Sequence, residues 1–310
     1  MTDSLVLGAM LFGTVQDERR SFELLDHFVD AGGTWIDTAN CYAFWEHPSG
    51  FGGQSEEVLG RWLARRPGVR DRVRISTKVG CEPTEAGRFP ETAEGLSGAT
   101  IKNAVESSLR RLGTDHIELY WAHKEDRATP LEETVAAFGE LVAAGTVGRL
   151  GASNHAVWRL ERARQLAATA GVAGYTAVQQ HHTYVQPRPG TRPTVVHRFG
   201  ALTDEVVDYV ESHPEVAIWA YTPLLSGRYT RADRPLPEEY DHPGTARRLA
   251  ALDEVAAETG TNRNQVVLAW LSGIATPIVG VSTVAQLDDA LAGTSLVLTD
   301  DQRVRLDAAI

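Results

Sequence analysis

Four polar side chains stand where short apolar runs give out. Trp35-Ile36-Asp37-Thr38-Ala39-Asn40-Cys41-Tyr42 places a carboxylate, Asp37, at the end of one run and a phenol, Tyr42, five residues later. Ile75-Ser76-Thr77-Lys78 ends in a lysine, and Ile117-Glu118-Leu119-Tyr120-Trp121-Ala122-His123 ends in a histidine. A phenol with an ordinary pKa of about 10 still holds its proton at neutral pH. An ammonium within about 4–6 Å stabilises the phenolate and eases release of that proton. Lys78 can do this for Tyr42. Asp37 can pair with Lys78, because an isolated buried ammonium is costly. His123, as a neutral donor, can hold a carbonyl oxygen. Together the four polarise a C=O bond and protonate it, which is half of a carbonyl reduction. None of them supplies a hydride, so the other half asks for a nicotinamide cofactor. Taken singly, Asp37 could cap a turn, Lys78 could close a salt bridge and His123 could be a satisfied core histidine. Four at successive run ends, with complementary chemistry, argue for a site.

The elements that must position them follow from punctuation. Strand-like runs are read at Leu5–Phe12, Trp35–Thr38, Val73–Thr77, Ile117–Trp121, Val147–Gly151, Ala177–Gln180, Ala217–Ala220 and Pro277–Gly280. Helical patterns alternate with them. Asp17 can cap a helix over Glu18–Ala31 that stops at Gly32-Gly33. Thr129-Pro130-Leu131-Glu132 reads as a capping box, and Thr299 with Gln302 as another. Strict alternation predicts an α/β fold, a closed (β/α)₈ TIM barrel, as a single domain over residues 1–310. In such a barrel the strand ends converge on one face, which would gather the four side chains. A doubly wound open sheet would want a glycine-rich turn after the first strand, and Gly8-Ala9-Met10-Leu11-Phe12-Gly13 lacks G-x-G-x-x-G. Two stretches, Ala43–Gln54 and Arg228–Gly244, are poor helices or strands and read as long loops over the substrate side.

Composition narrows the class further. The net charge of −11 argues against a nucleic-acid or anionic-membrane partner, since phosphate binding needs a basic face. No apolar run is long enough to span a bilayer, and no basic-then-apolar leader opens the chain. The two cysteines, Cys41 and Cys81, are too few for a disulfide scaffold, so a cytoplasmic, reducing setting is expected. Both read as unpaired thiols, although both lie beside proposed site residues. His181 and His182 lack companion ligands, so no metal site is read.

These residues resemble the aldo-keto reductases over nearly the whole chain. Gly33–Tyr42 with Gly53-Gln54-Ser55-Glu56-Glu57-Val58-Leu59-Gly60 is similar to one signature of that family, Leu109–Asp126 to a second, and Gly151-Ala152-Ser153-Asn154 to a third site. The resemblance implies a (β/α)₈ barrel, NAD(P)H-dependent carbonyl reduction and a catalytic tetrad falling on Tyr42, Lys78, Asp37 and His123. It also implies that Ser153, Asn154 and Gln179 hydrogen-bond the nicotinamide carboxamide and that Tyr221 stacks on its ring. Thr222–Gly227, with Leu224, Ser226 and Gly227, resembles the loop that wraps the pyrophosphate. Gly280, Ser282, Gln286 and Asp289 match positions around the adenosine and its 2′-phosphate. Many members carry a basic residue there, whereas Gly280–Gln286 has none and Ala290 replaces a common asparagine. Arg228 is a candidate for the missing charge. NADP(H) is favoured and NAD(H) remains open.

The loop after Tyr42 departs from the pattern and brings Phe44 and Trp45 near the substrate mouth. Trp121, two residues before His123, is expected to face the same pocket, because strand side chains alternate with period two. The expected activity is reversible reduction of an aldehyde or ketone, sugar-like ones included, with Tyr42 as general acid and base. An alternative keeps the cofactor and loses the turnover, as a regulatory or redox-sensing subunit. Substrate identity and oligomeric state stay open.

Overall fold

A computed structural model describes residues 4–193 and 196–309. Its strands are β1 (Val6–Gly8), β2 (Trp35–Asp37), β3 (Arg74–Val79), β4 (Ile117–Ala122), β5 (Val147–Ser153), β6 (Tyr175–His181), β7 (Ala217–Tyr221) and β8 (Thr276–Val279). They pair in chain order, all parallel, and β8 returns to β1, so the sheet closes into a barrel. Each strand has a counterpart among the expected runs. The first is much shorter than Leu5–Phe12, because the apolar run curls after Gly8. Ala9 still donates to Asp37 O at 2.9 Å, but Phe12 N then turns back onto Ala9 O at 3.0 Å and its ring enters the core.

Around the barrel lie α1 (Glu18–Asp30), α2 (Gln54–Arg65), α3 (Gly98–Leu112), α4 (Leu131–Ala143), α5 (Val157–Ala170), α6 (Asp204–Glu211), α7 (Pro243–Thr259), α8 (Arg263–Leu271), α9 (Val284–Ser295) and α10 (Asp300–Ala308). The Asp17 cap and the Thr299–Gln302 box form as expected. The Thr129 box does not. Thr129 Oγ1 donates to Asp126 Oδ2 at 2.7 Å, and α4 starts after Pro130 with no side-chain cap. A carboxylate is the stronger acceptor, and it takes the hydroxyl away from the helix end. The alternation is also not strict. Both α7 and α8 lie between β7 and β8, and the Arg228–Gly244 excursion runs directly into α7.

Two apolar layers hold the barrel. The larger lies between the sheet and the helices, and the smaller fills the barrel's interior with Val6, Trp35, Leu119, Trp121, Ala177, Trp219 and Ile278. Trp219 meets the Trp35 ring at 5.1 Å and the Trp121 ring at 5.3 Å between centroids. A buried tryptophan removes roughly 200 Å² from water, about 5 kcal/mol each as an upper bound. This tryptophan layer plugs the barrel. It belongs to the same inward-facing, period-two register as the polar side chains, since Lys78 pairs with Trp121 and Trp121 with Gly151.

Gly151 has a specific steric role here. A Cβ at that position would lie 2.2 Å from Cε3 of Trp121. Gly151→Ala is therefore expected to destabilise the fold by about 1–3 kcal/mol, as over-packing does. A lowered urea midpoint with an unchanged denaturant slope would show it, whereas an unchanged midpoint would mean that Trp121 is not confined by this glycine.

Candidate active site

The end of the barrel collects the four polar groups. Asp37 closes β2 and Lys78 projects from β3; both are buried, Lys78 completely. Lys78 Nζ forms a salt bridge with Asp37 Oδ2, donates to Thr38 O at 2.8 Å and approaches Tyr42 Oη at 3.0 Å. Asp37 Oδ1 accepts from Ser76 Oγ at 2.6 Å and from Gln179 Nε2 at 3.3 Å. His123 follows β4, and its ring stands edge-on to that of Tyr42 with centroids 5.7 Å apart. Its Nδ1 lies 3.5 Å from Cys41 Sγ. The structure thus brings Asp37, Tyr42, Lys78 and His123 into one cluster.

The charge balance differs from the expectation in one respect. Burial pushes the Tyr42 phenol well above its ordinary value, and Asp37 adds to the rise. Lys78 is itself pulled down by burial, with Asp37 opposing. With its charge matched by Asp37, Lys78 does not leave Tyr42 an easy acid in the resting site. His123 is held well below its ordinary value by burial, then by Lys78, His197 and Lys124. At neutral pH it is therefore an uncharged imidazole.

A second set of side chains adjoins this cluster at the ends of β5, β6 and β7. Ser153 Oγ donates to Gln179 O at 2.9 Å, and Asn154 Nδ2 reaches Ser153 Oγ at 2.9 Å and His123 O at 2.8 Å. Tyr221 Oη donates to Asn154 Oδ1 at 2.8 Å, leaving its ring half-buried. The following loop is conformationally expensive. Thr222, Leu225 and Ser226 have φ of 59°, 47° and 56°, and Gly227 has 85°. Non-glycine residues in that region cost about 1–3 kcal/mol each and cluster where a site needs them. Arg228 donates from Nη1 to Leu225 O at 3.0 Å and from Nε to Pro235 O at 3.2 Å, so it braces the same loop. Leu224 N-caps the short turn that contains Ser226.

Beyond β8, Gly280 and Ser282 are exposed. Ser282 N donates to Gln286 Oε1 at 2.8 Å, and Gln286 N to Thr283 Oγ1 at 3.2 Å, which ties them to the first turn of α9. Asp289 is engaged elsewhere, accepting from Asn262 Nδ2 at 2.6 Å. A dinucleotide would fit such a set: three polar side chains, an aromatic ring, a braced loop and a helix N-terminus where anions are favoured.

The aromatic residues divide. Trp45 is 47 % exposed, whereas Phe44 packs against Trp45 and Phe89 in a cluster with Ala39, Cys41 and Cys81. Trp121 is fully buried, so it forms the floor beneath the site and not an open wall. Strand alternation does aim it inward, but the room there is filled by Trp219 and bounded by Gly151. His182 stacks on Trp270, and His181 lies edge-on to Tyr221. No group of three His, Cys, Asp or Glu side chains among the described residues is placed to hold a metal ion.

Some neighbours escaped sequence reasoning. The connection between β3 and α3 is a long excursion whose Gly87 N donates to Gly50 O at 2.8 Å and whose Glu82 accepts from Gly52 N at 2.9 Å. It clasps the loop after Tyr42. Pro83, Pro90 and three glycines between positions 80 and 95 were its signal. His197, which helps to lower the His123 imidazole, sits in an irregular segment with no local signature.

The aldo/keto reductase family profile matches residues 4–310. The chain belongs to this family. An aldo/keto reductase fold is the closed parallel barrel described above, and the family generally uses nicotinamide cofactors and acts on small carbonyl compounds. The chain is 30% identical over 298 residues to the uncharacterized oxidoreductase YrpG of Bacillus subtilis, covering 95% of this chain and 88% of that protein. It is 29% identical over 328 residues to norsolorinic acid reductase stcV of Emericella nidulans, covering 99% and 78%. Versiconal hemiacetal acetate reductase of Aspergillus parasiticus is 28% identical over 334 residues, covering 96% and 90%. These likenesses make the chain an oxidoreductase. No helix among its described residues is long and apolar enough to cross a membrane.

The buried pair generates a stability prediction. Asp37→Asn leaves the Lys78 ammonium without its counter-charge in a site closed to water. Removing one partner of a buried pair costs about 3–5 kcal/mol, so the urea midpoint of the cofactor-free protein should fall sharply. Glu140→Gln, which removes the exposed partner of Lys102, should shift it little. Equal shifts in the two variants would contradict the burial argument.

Proposed function

We propose that this chain is an NAD(P)H-dependent carbonyl reductase that uses Tyr42 as the proton donor. The observation that carries the reading is the placement of Lys78 Nζ between Asp37 and Tyr42 Oη, with the neutral His123 ring edge-on to the phenol. Held by the residues assigned below, a nicotinamide would supply the hydride for the carbonyl carbon. The chain's own residues manage the oxygen. His123 donates to the carbonyl oxygen and orients it. Tyr42, kept protonated by burial, delivers its proton as alkoxide character develops, because an alkoxide is a far stronger base than a phenolate. Lys78 then stabilises the phenolate at 3.0 Å, and Asp37 keeps Lys78 in place. In the reverse direction the same phenolate takes the proton from an alcohol.

Ser153, Asn154 and Gln179 are assigned to the carboxamide, and Tyr221 to the nicotinamide face. Thr222, Leu224, Ser226 and Gly227 are assigned to the pyrophosphate. Gly280, Ser282, Gln286 and Asp289 are assigned to the adenosine end. Arg228 adds a positive charge to the loop after β7, and a charge that reached the 2′-phosphate would favour NADP(H) over NAD(H). Of these, Asp289 also accepts from Asn262 Nδ2 at 2.6 Å. Trp45, and Phe44 behind it, bound the substrate mouth, with Trp121 as the floor. The relatives named for reducing norsolorinic acid and versiconal hemiacetal acetate support a carbonyl substrate.

Tyr42→Phe separates proton delivery from binding. Turnover of simple aldehydes should fall by about 10²–10⁴-fold, the usual contribution of a positioned acid. A fluorescence titration should give the variant wild-type affinity for NADPH, and both proteins should bind NADPH more tightly than NADH. Wild-type turnover by the variant would remove Tyr42 from its role, and equal or reversed cofactor affinities would overturn the assignment of the adenosine end.

A further inference from the structure

The four-residue cluster leaves one contact unexplained. Cys41, the residue before Tyr42, lies with its sulfur 3.5 Å from Nδ1 of His123. It is 3% exposed and packs with Ala39, Phe44 and Cys81, so little water competes for the contact. We propose that Cys41 is a positioning residue whose thiol donates to Nδ1 of His123 and so fixes the tautomer in which Nε2 carries the ring hydrogen. The inference rests on the proposed carbonyl reduction, in which that hydrogen meets the substrate oxygen.

First, both partners are neutral. Burial raises the Cys41 thiol well above its ordinary value, with Cys81, Glu82 and Glu94 adding to the rise and Lys78 opposing. Lys78, His197 and Lys124 face His123 and disfavour an imidazolium, as burial does. Both shifts disfavour a thiolate–imidazolium pair of the reactive-cysteine kind. Second, a neutral imidazole has one donor and one acceptor nitrogen, and the bond made by one fixes the other. Sulfur is a weak acceptor and the imidazole nitrogen a good one, so the hydrogen sits on sulfur and Nδ1 accepts. Nε2 is left as the donor. Third, the histidine is otherwise held through its backbone: His123 N donates to Val79 O at 2.9 Å and His123 O accepts from Asn154 Nδ2 at 2.8 Å. Those bonds place the residue but leave the ring's hydrogen undetermined. The turn that presents the Tyr42 phenol, in which Phe44 N meets Cys41 O at 3.2 Å, also delivers the sulfur to His123.

The test uses protein labelled with ¹⁵N at histidine, cofactor-free, with the His123 ring nitrogens assigned by NMR. Wild type should show an acceptor Nδ1 and a protonated Nε2. Cys41→Ala should give a mixture of tautomers and lower kcat about 3- to 10-fold, the worth of one ordinary hydrogen bond, with NADPH affinity unchanged. Cys41→Ser should restore both signals, because a hydroxyl also donates. Cys81→Ala, which removes a neighbour of the same buried cluster, should change neither. A wild-type Nδ1–H tautomer overturns the proposal, as does a Cys41→Ala variant with wild-type tautomer and kcat, or an equal loss in Cys81→Ala. If Cys41→Ala does not fold, wild type and Cys41→Ser still decide the tautomer. If wild type reduces no carbonyl compound, the functional reading fails, yet the ring spectrum still tests the contact.

Discussion

An ammonium and a carboxylate, both removed from water, hold this end of the barrel together. Neither Lys78 nor Asp37 is stable there alone, and the pair is tolerated because four neighbours supply hydrogen bonds. Ser76 and Gln179 donate to Asp37, and Thr38 O and Tyr42 Oη take up the remaining directions of Lys78. Buried pairs are weak as sources of net stability but costly to break. Such a pair fixes geometry, and what it fixes here is the phenol of Tyr42. The link from Asp37 to Gln179 extends the same network to Ser153, Asn154 and Tyr221. The proposed proton donor and the proposed carboxamide site are thus parts of one hydrogen-bonded unit.

The barrel makes that unit possible by separating two jobs within one register. Some inward positions carry Trp35, Trp121 and Trp219, which fill the interior and close it to water. Others carry Asp37, Ser76, Lys78, Ser153 and Gln179, with Lys78 in register with Trp121 and Gln179 with Trp219. Burial raises Tyr42 and lowers His123, and the tryptophan layer closes the barrel's interior. Gly151 marks the boundary between the two jobs, since it gives room to the Trp121 ring two residues before Ser153. Above the site, the excursions after Tyr42 and after β3 clasp each other through Gly50, Gly52, Glu82 and Gly87.

Much of this was legible in the sequence, and the rest was not for identifiable reasons. The strand runs were readable because buried parallel strands are short, apolar and bounded by turns, and Asp37, Lys78 and His123 were visible as polar breaks in them. Two failures were local. Leu5–Phe12 was too long because an apolar run does not reveal where its backbone turns, and Thr129 lost its cap to a carboxylate whose proximity depends on the folded turn. Trp121 was correctly aimed inward, but its depth depends on Trp219, a residue far away in sequence. The Cys41–His123 contact and the approach of His197 likewise join distant segments. Spacing in one segment carries no information about them.

The most direct test of this account concerns Lys78. In a single-turnover stopped-flow experiment with saturating NADPH and a simple aldehyde, Lys78→Met should retain NADPH binding within a few-fold. It should slow NADPH oxidation by at least about 100-fold, because the phenolate left on Tyr42 loses its counter-charge. A Lys78→Met enzyme that oxidises NADPH at the wild-type rate would contradict the claim that the buried pair sets the proton donor.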